Sequence, residues 1–316
     1  MTYFRFVTGD IRENYHPSRQ HRRQSSSADF PPPQTFVKCS WQNHPQPSIR
    51  LAGRGFERAG HFVAGEQADE IADWLKAQYP QLDAQFVAQA GILGQAQAIA
   101  LCGDYLDEGD VLVVAGMVIA EAAWSNLPDS RMDAVFVTPP DTAVSPNPTA
   151  AITWFKNGRL LHHALQSAAP SATLQDVCQE MRKGGTAVRT TTAHLWLETH
   201  TPEALLHANQ RLLGLGYGAT PDAIERSYAE DFTVLPPVYI DEEAYVETAV
   251  IGPYVSIHAG AVVKDAIVRH SIIAADAHVE TCILDGALVG ERAKMIGSAR
   301  KLVANDDSMT DLTNDT

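Results

Sequence analysis

From Ile240 to Met295 an aliphatic residue returns at a near-six-residue step, at Ile240, Val246, Ile251, Ile257 and Val263, with small residues such as Ala244, Val255 and Ala261 between. A hairpin sheet alternates with period two and an amphipathic helix with period 3.6, so this spacing fits neither. A hexad with one aliphatic and one small position is what a triangular β-solenoid needs, because each flat face supplies few residues and each corner turns tightly around a narrow core. The step loosens after Ile267, at Ile272, Val279 and Val289. The pattern therefore predicts two or three coils over about residues 236–300, an appendage rather than a whole protein.

Ahead of it, residues 61–235 carry the alternation of an α/β domain. Ile71, Trp74, Leu75 and Tyr79 share one helical face over 66–79, followed by an extended stretch at 85–89, a helix over 95–106 and the buried strand DVLVVA at 110–115. Strands are predicted at 132–138 and 150–155, helices at 158–166 and 173–183, and strands at 186–191 and 194–197. Thr201 as N-cap, Pro202 in the first helical position and Glu203 in the first turn start a helix running to Leu213, since together they satisfy orphan amides and the helix dipole. Such alternation predicts a doubly wound, mainly parallel, Rossmann-like sheet with any ligand at the carboxyl ends of its strands.

Residues 1–60 are different material. They hold nine Lys and Arg against four Asp and Glu, leaving 15 against 34 for residues 61–316, and the run HRRQSSSADFPPPQ has no helical or strand period. Three readings stay open for this basic segment: a flexible arm, a weakly patterned start of the core domain, or a stretch from a displaced reading frame. The acidic 301–316 reads as a solvated tail. A net charge of −14 disfavours nucleic acid or an anionic bilayer as the main partner. No apolar run reaches a membrane span and no secretory signal is legible, so a cytoplasmic protein is expected. The four cysteines, Cys39, Cys102, Cys178 and Cys282, lie far apart without CxxC spacing, which argues against a disulfide framework or a zinc site.

The order of elements, the segments QAGILGQAQAIALCGDYLDEGDVLVVAG and LWLETHTPEALLHANQRLL, and the terminal hexapeptide repeat together resemble the sugar-1-phosphate nucleotidyltransferases. The likeness is to the glucose-1-phosphate thymidylyltransferase type with a left-handed β-helix, and it spans roughly Ala64 to Met295. The resemblance implies in-line attack of a sugar phosphate oxygen on the α-phosphorus of a nucleoside triphosphate, with pyrophosphate leaving and Mg²⁺ offsetting charge. dTTP and glucose 1-phosphate are the implied substrates, in a homo-oligomer.

Carried over position by position, the resemblance assigns Gln89 and Gly94 to the nucleotide base, the glutamine through its amide and the glycine through close backbone approach. Glu198 takes the place of the family's second acidic metal residue, one methylene longer than aspartate, and His200 replaces a glycine two positions on. Met117 stands where the family has the catalytic metal aspartate. A neutral thioether cannot serve a hard cation that demands oxygen donors. The glycine-rich triphosphate loop is not legible in residues 1–60, and between Val137 and Ala151 there is no Glu-Lys-Pro sugar motif. Gln89 and Gly94 equally suit a polar strand end and a helix-start glycine.

Three readings follow: an active nucleotidyltransferase with unconventional groups, a non-catalytic relative that binds nucleotide or a partner subunit, and an acyltransferase using a solenoid histidine as base. For the last, His258, His270 and His278 are the candidates, although surface positions are expected for all three.

Overall fold

The computed structural model describes residues 4–8, 59–64, 83–88, 94–107, 109–115, 118–123, 131–140, 152–199, 201–217 and 231–298, with single positions at 69, 72, 73, 76, 80 and 127. The chain separates into two compact units, Met1–Ala219 and Thr220–Thr316.

The first unit is built on a seven-stranded sheet. Its strands are β1 (Phe4–Thr8), β2 (Ala59–Ala64), β3 (Asp83–Ala88), β4 (Val111–Ala115), β6 (Ala134–Thr138), β7 (Ile152–Phe155) and β8 (Val188–Thr192), in the order β3-β2-β1-β4-β7-β6-β8. β5 (Val118–Glu121) and β9 (Leu195–Glu198) form a separate antiparallel ribbon. β2 runs parallel to β3, and β6 to β8, while β1 and β7 are antiparallel to both of their neighbours. Five strands thus point one way and β1 and β7 oppose them, so two neighbouring pairs of the sheet are parallel and four antiparallel. The carboxyl ends of β2, β3, β4, β6 and β8 accordingly line one edge.

The apolar residues of these strands explain the sheet's burial. Leu112, Val113, Val135, Ile152, Trp154 and Phe155 are all fully buried, and the Trp154 indole N–H donates to Asp110 Oδ2 at 3.1 Å, so its polar edge is satisfied. Among the described residues α1 (Gln95–Ala100), α2 (Gly158–Gln166) and α3 (Leu174–Lys183) join this core, and α4 (Pro202–Gly214) packs on β9. The start signal at Thr201 works as read, its hydroxyl accepting from Ala204 N at 3.1 Å.

Three expectations change. The helix over 95–106 stops at Ala100, because Gly103 takes φ +28° and the chain continues as a 3₁₀ turn over Gly103–Asp107. The segment without strand period contributes β1, and β2 begins at Ala59, inside it. The strand expected at 194–197 forms as β9, but its ribbon partner β5 was not expected, since it follows β4 too closely to read as a new strand. The helix expected over 66–79 falls largely outside the described residues.

The second unit is a solenoid of four coils, more than the two or three expected. Its strands are β10 (Thr233–Val234), β11 (Val238–Ile240), β12 (Tyr245–Glu247), β13 (Val250–Ile251), β14 (Val255–Ile257), β15 (Val262–Lys264), β16 (Ile267–Arg269), β17 (Ile272–Ile273), β18 (His278–Glu280), β19 (Ile283–Asp285), β20 (Leu288–Val289) and β21 (Lys294–Ile296). They stack as three parallel four-stranded faces, β10-β13-β16-β19, β11-β14-β17-β20 and β12-β15-β18-β21. Three inward columns build the core: Val234–Ile251–Val268–Leu284, Ile240–Ile257–Ile273–Val289 and Val246–Val263–Val279, the last continued on the final coil by the exposed Met295.

The spacing explains the undercount. Tyr245 and Val262 are register partners 17 residues apart, whereas Val262 and His278 are 16 apart. Three perfect hexads would need about 18. Every coil is one residue short where Val246 to Ile251, Val263 to Val268 and Val279 to Leu284 each span five, and the later coils lose another where Ile251 to Ser256 is matched by the shorter Val268 to Ile272. A six-residue template slips out of phase there, although the inward columns persist. The corners take backbone that L-residues rarely adopt: Thr248, Asp265 and Thr281 form one column with φ of 49°, 47° and 55°. At another corner, a Cβ on Gly260 (φ +69°) would meet Asp276 Oδ1 at 2.3 Å. Among the described residues no helix is long and apolar enough to cross a membrane.

Candidate functional site

Several of the carried-over positions follow or close strands along the chain. Gln89 follows the end of β3, Gly116 and Met117 follow the end of β4, and Glu198 closes β9. Gln89, Met117 and His200 lie outside the described residues. Val118, next after Met117 in the chain, is the register partner of Glu198. Ala115 precedes Val118 by three residues, which bounds their separation at about 11 Å. Glu198 is therefore tied to the end of β4 through the ribbon. Ala88 ends β3 on the same edge, three strand positions from β4, or about 14 Å along the sheet.

Glu198 is half-buried at the ribbon's end, two residues from Trp196 and so on the same side of the strand. Trp196 belongs to the main core together with Val118 and Ala120, while Leu195 and Leu197 point the other way. The ribbon thus aims Glu198 toward the side from which the sheet's core is built.

Gly94 is the described half of the proposed base-reading pair, and its surroundings are protein. A Cβ there would stand 2.2 Å from the Pro170 carbonyl oxygen. Ala96 N donates to Ala172 O at 3.0 Å, and Gln95 Oε1 accepts from Leu174 N at 2.7 Å. The starts of α1 and α3 therefore satisfy each other's amides through the 170–174 segment, and those groups are not offered to a phosphate. Sequence reasoning took the glycine's close approach as approach to a ligand. The signal for the alternative lay in Pro170, Thr173 and Asp176, a loop with a capping box. Thr173 N donates to Asp176 Oδ2 at 2.9 Å and Asp176 N to Thr173 Oγ1 at 3.1 Å. The Thr173 amide first, and then the Thr173 hydroxyl, which donates to Asp176 Oδ2 at 2.7 Å, hold the Asp176 carboxyl below its ordinary value.

No three His, Cys, Asp or Glu side chains group to hold a metal ion among the described residues. Glu198 is the one carried-over acidic position there. A single carboxylate falls short of the oxygen set that Mg²⁺ takes from protein and phosphates together, and the Met117 thioether does not extend it. The described donors do not fit a resident Mg²⁺.

The solenoid histidines have separate fates. His258 is 3% exposed, correcting the surface position expected for it, and its ring meets Tyr239 edge-on at 6.0 Å. Tyr239 OH in turn donates to Asp241 Oδ2 at 2.8 Å. His270 Nδ1 lies 2.9 Å from Asp285 Oδ1, with its ring stacked on Tyr254, and His278 Nε2 lies 2.9 Å from Glu280 Oε2. Cys102 and Cys178 are buried, and burial pushes both thiols up to about 12.

No family model and no curated protein matches the chain. Among solved structures it is similar to one described as a glucose-1-phosphate thymidylyltransferase from Bacillus anthracis in complex with a sucrose. The two are 14% identical with a TM-score of 0.39, over 50% of this chain and 76% of that one.

Proposed function

We propose that the protein is a sugar-1-phosphate nucleotidyltransferase-like protein that takes an activated nucleoside and a sugar phosphate at the carboxyl edge of its sheet. The reaction would transfer a nucleotidyl group from a nucleoside triphosphate, dTTP first, to a sugar 1-phosphate, glucose 1-phosphate first, releasing pyrophosphate. The supporting observation is the register of Glu198 against Val118, which holds an acidic side chain beside the residue after Met117, at the end of β4. A carboxylate tied to the carboxyl end of a central strand, with a second candidate contact following β3 on the same edge, is the arrangement a nucleotide site in an α/β sheet needs.

A second reading, binding without turnover, has its own observation. A carboxylate beside a triphosphate repels it unless a cation lies between them, and Glu198 alone among the described residues does not make a cation site. With Gly94 packed on Pro170, the base contact attributed to that glycine also has a structural cause. For the acyltransferase reading, His258 is buried, while the carboxylates beside His270 and His278 fit an oriented base as well as a surface ion pair.

Pyrophosphate release from a panel of nucleoside triphosphates and sugar 1-phosphates, in Mg²⁺, tests the reading. Mg²⁺-dependent release, lost in Glu198→Gln, establishes transfer. Thermal stabilisation by the triphosphate without release establishes the binding protein, and neither response overturns both.

A further inference from the structure

Each coil of the solenoid is closed by the next. Ile267 N donates to Cys282 O at 2.9 Å, Ile272 N to Ala287 O at 2.9 Å and His278 N to Ala293 O at 2.8 Å, so on every face an amide of one coil takes a carbonyl of the coil below. One register step further stand Ile283, Leu288 and Lys294, whose strands β19, β20 and β21 are the last of their sheets. Their amides point to an edge where no described strand follows. The inward columns end there as well. Val279 is fully buried but Met295 below it is 38% exposed, and Leu284 is half-buried below the fully buried Val268. A free strand edge backed by apolar side chains is a template for pairing, and solenoids close such an end with a cap.

We infer that residues 299–316 of this chain are that cap, folding back across the open end with Leu302 and Val303 over Leu284 and Met295, in place of the solvated tail expected over 301–316. The segment follows Ser298, two residues past the end of β21, so the loop to be closed is short and costs little entropy. Leu302 lies four residues beyond Ser298, a reach of up to about 13 Å. A coil of 16 or 17 residues has three sides of about 18 Å, and its middle lies within about 10 Å of any corner. A fifth coil is not an alternative. Steps of 16 or 17 from Leu284, Val289 and Met295 fall on Arg300 or Lys301, Asn305 or Asp306, and Asp311 or Leu312, so a further turn would bury charge in at least one inward column. The apolar pair Leu302–Val303 can therefore cover the end without continuing it. Charge agrees with this placement. On the last coil Asp285 pairs with His270 and Arg292 with Glu291, which leaves the exposed Lys294 at the open edge for the carboxylates of Asp306 and Asp307.

The test is amide-resolved hydrogen–deuterium exchange on the full chain at two protein concentrations about twentyfold apart. In the unaltered protein the amides of Ile283, Leu288 and Lys294 should exchange at least about tenfold more slowly than an unstructured chain, equally at both concentrations. The double variant Leu302→Asp with Val303→Asp should return all three to within about threefold of the unstructured rate. Ile267, Ile272 and His278, one coil up, should keep their protection in that variant and so report that the solenoid is folded. Three outcomes overturn the inference. The three edge amides exchange freely in the unaltered chain, or they stay protected in the double variant, or their protection rises with concentration, which would put a second copy at the open end instead of the chain's own segment.

Discussion

Gly94 lies so close to Pro170 that a side chain on the glycine would put its Cβ 2.2 Å from the proline carbonyl oxygen. That carbonyl belongs to the backbone, so it cannot swing aside. Gly94→Ala is therefore expected to destabilise the first unit by about 1–3 kcal/mol as the 170–174 segment is pushed off α1. Urea unfolding followed at the tryptophans reads the loss. A cost near zero would mean that the two segments do not touch.

The Thr201 cap is a cleaner local case. Its hydroxyl accepts from Ala204 N, and Pro202 needs no amide partner at the first helical position. Thr201→Ala should cost about 0.5–2 kcal/mol, and Thr201→Ser much less, since serine keeps the oxygen. Equal losses in both variants would point to the methyl group instead of the cap.

Asp176 gives the acid limb a named contributor. Its carboxyl is held below the ordinary value of 3.8 by the Thr173 amide and hydroxyl. A carboxyl whose folded value is depressed adds stability that is present above the unfolded value and lost as pH falls through the folded one. Asp176→Asn should therefore flatten stability against pH on the acid side of 3.8, and a carbon-detected titration of Asp176 should show its midpoint lowered. A midpoint at or above the ordinary value would remove the capping box from the account.

In the solenoid, Ile257 sits fully buried between Ile240 and Ile273 of the adjoining coils, whereas Ile296 is 66% exposed on the last one. Ile257→Ala should cost about 2–5 kcal/mol. Ile296→Ala should stay within about 0.5 kcal/mol of the original. Thermal unfolding of the pair tests the inward columns directly, and similar shifts for both would contradict them.

Thiol chemistry separates the cysteines. With burial pushing Cys102 and Cys178 up to about 12, neither should be alkylated in the native protein at mildly alkaline pH. Cys282, half-exposed in the solenoid, should be. Peptide mass mapping after brief iodoacetamide treatment distinguishes them, and prompt labelling of Cys102 would show that the core around α1 opens readily.

What the sequence made legible followed the strength of local signals. Thr173 and Thr201 mark their helix starts because the caps act within four residues, and DVLVVA reads as a strand because both of its faces are buried. The solenoid was recognisable from its aliphatic period, but the coil count was not, since shortened corners such as Val263 to Val268 and Val268 to Ile272 break the phase that a repeat search depends on. β1 hides in a basic segment because its place comes from pairing with β2 and β4 rather than from its own alternation. At the candidate site, Glu198 could be named from its motif. The partner that positions it, Val118, is 80 residues away in the chain and carries no local mark. The same holds for Gly94 and Pro170, whose contact offers a packing reason for a glycine that otherwise reads as a ligand contact.

The most direct test of the proposed nucleotide site at the carboxyl edge is hydrogen–deuterium exchange of the whole chain with and without saturating dTTP and Mg²⁺. The account expects slower exchange in peptides covering Val118–Glu121 and Leu195–Glu198, the two arms of the ribbon that holds Glu198, with the solenoid peptides unchanged. Protection confined to the solenoid, or none anywhere at saturation, would contradict it.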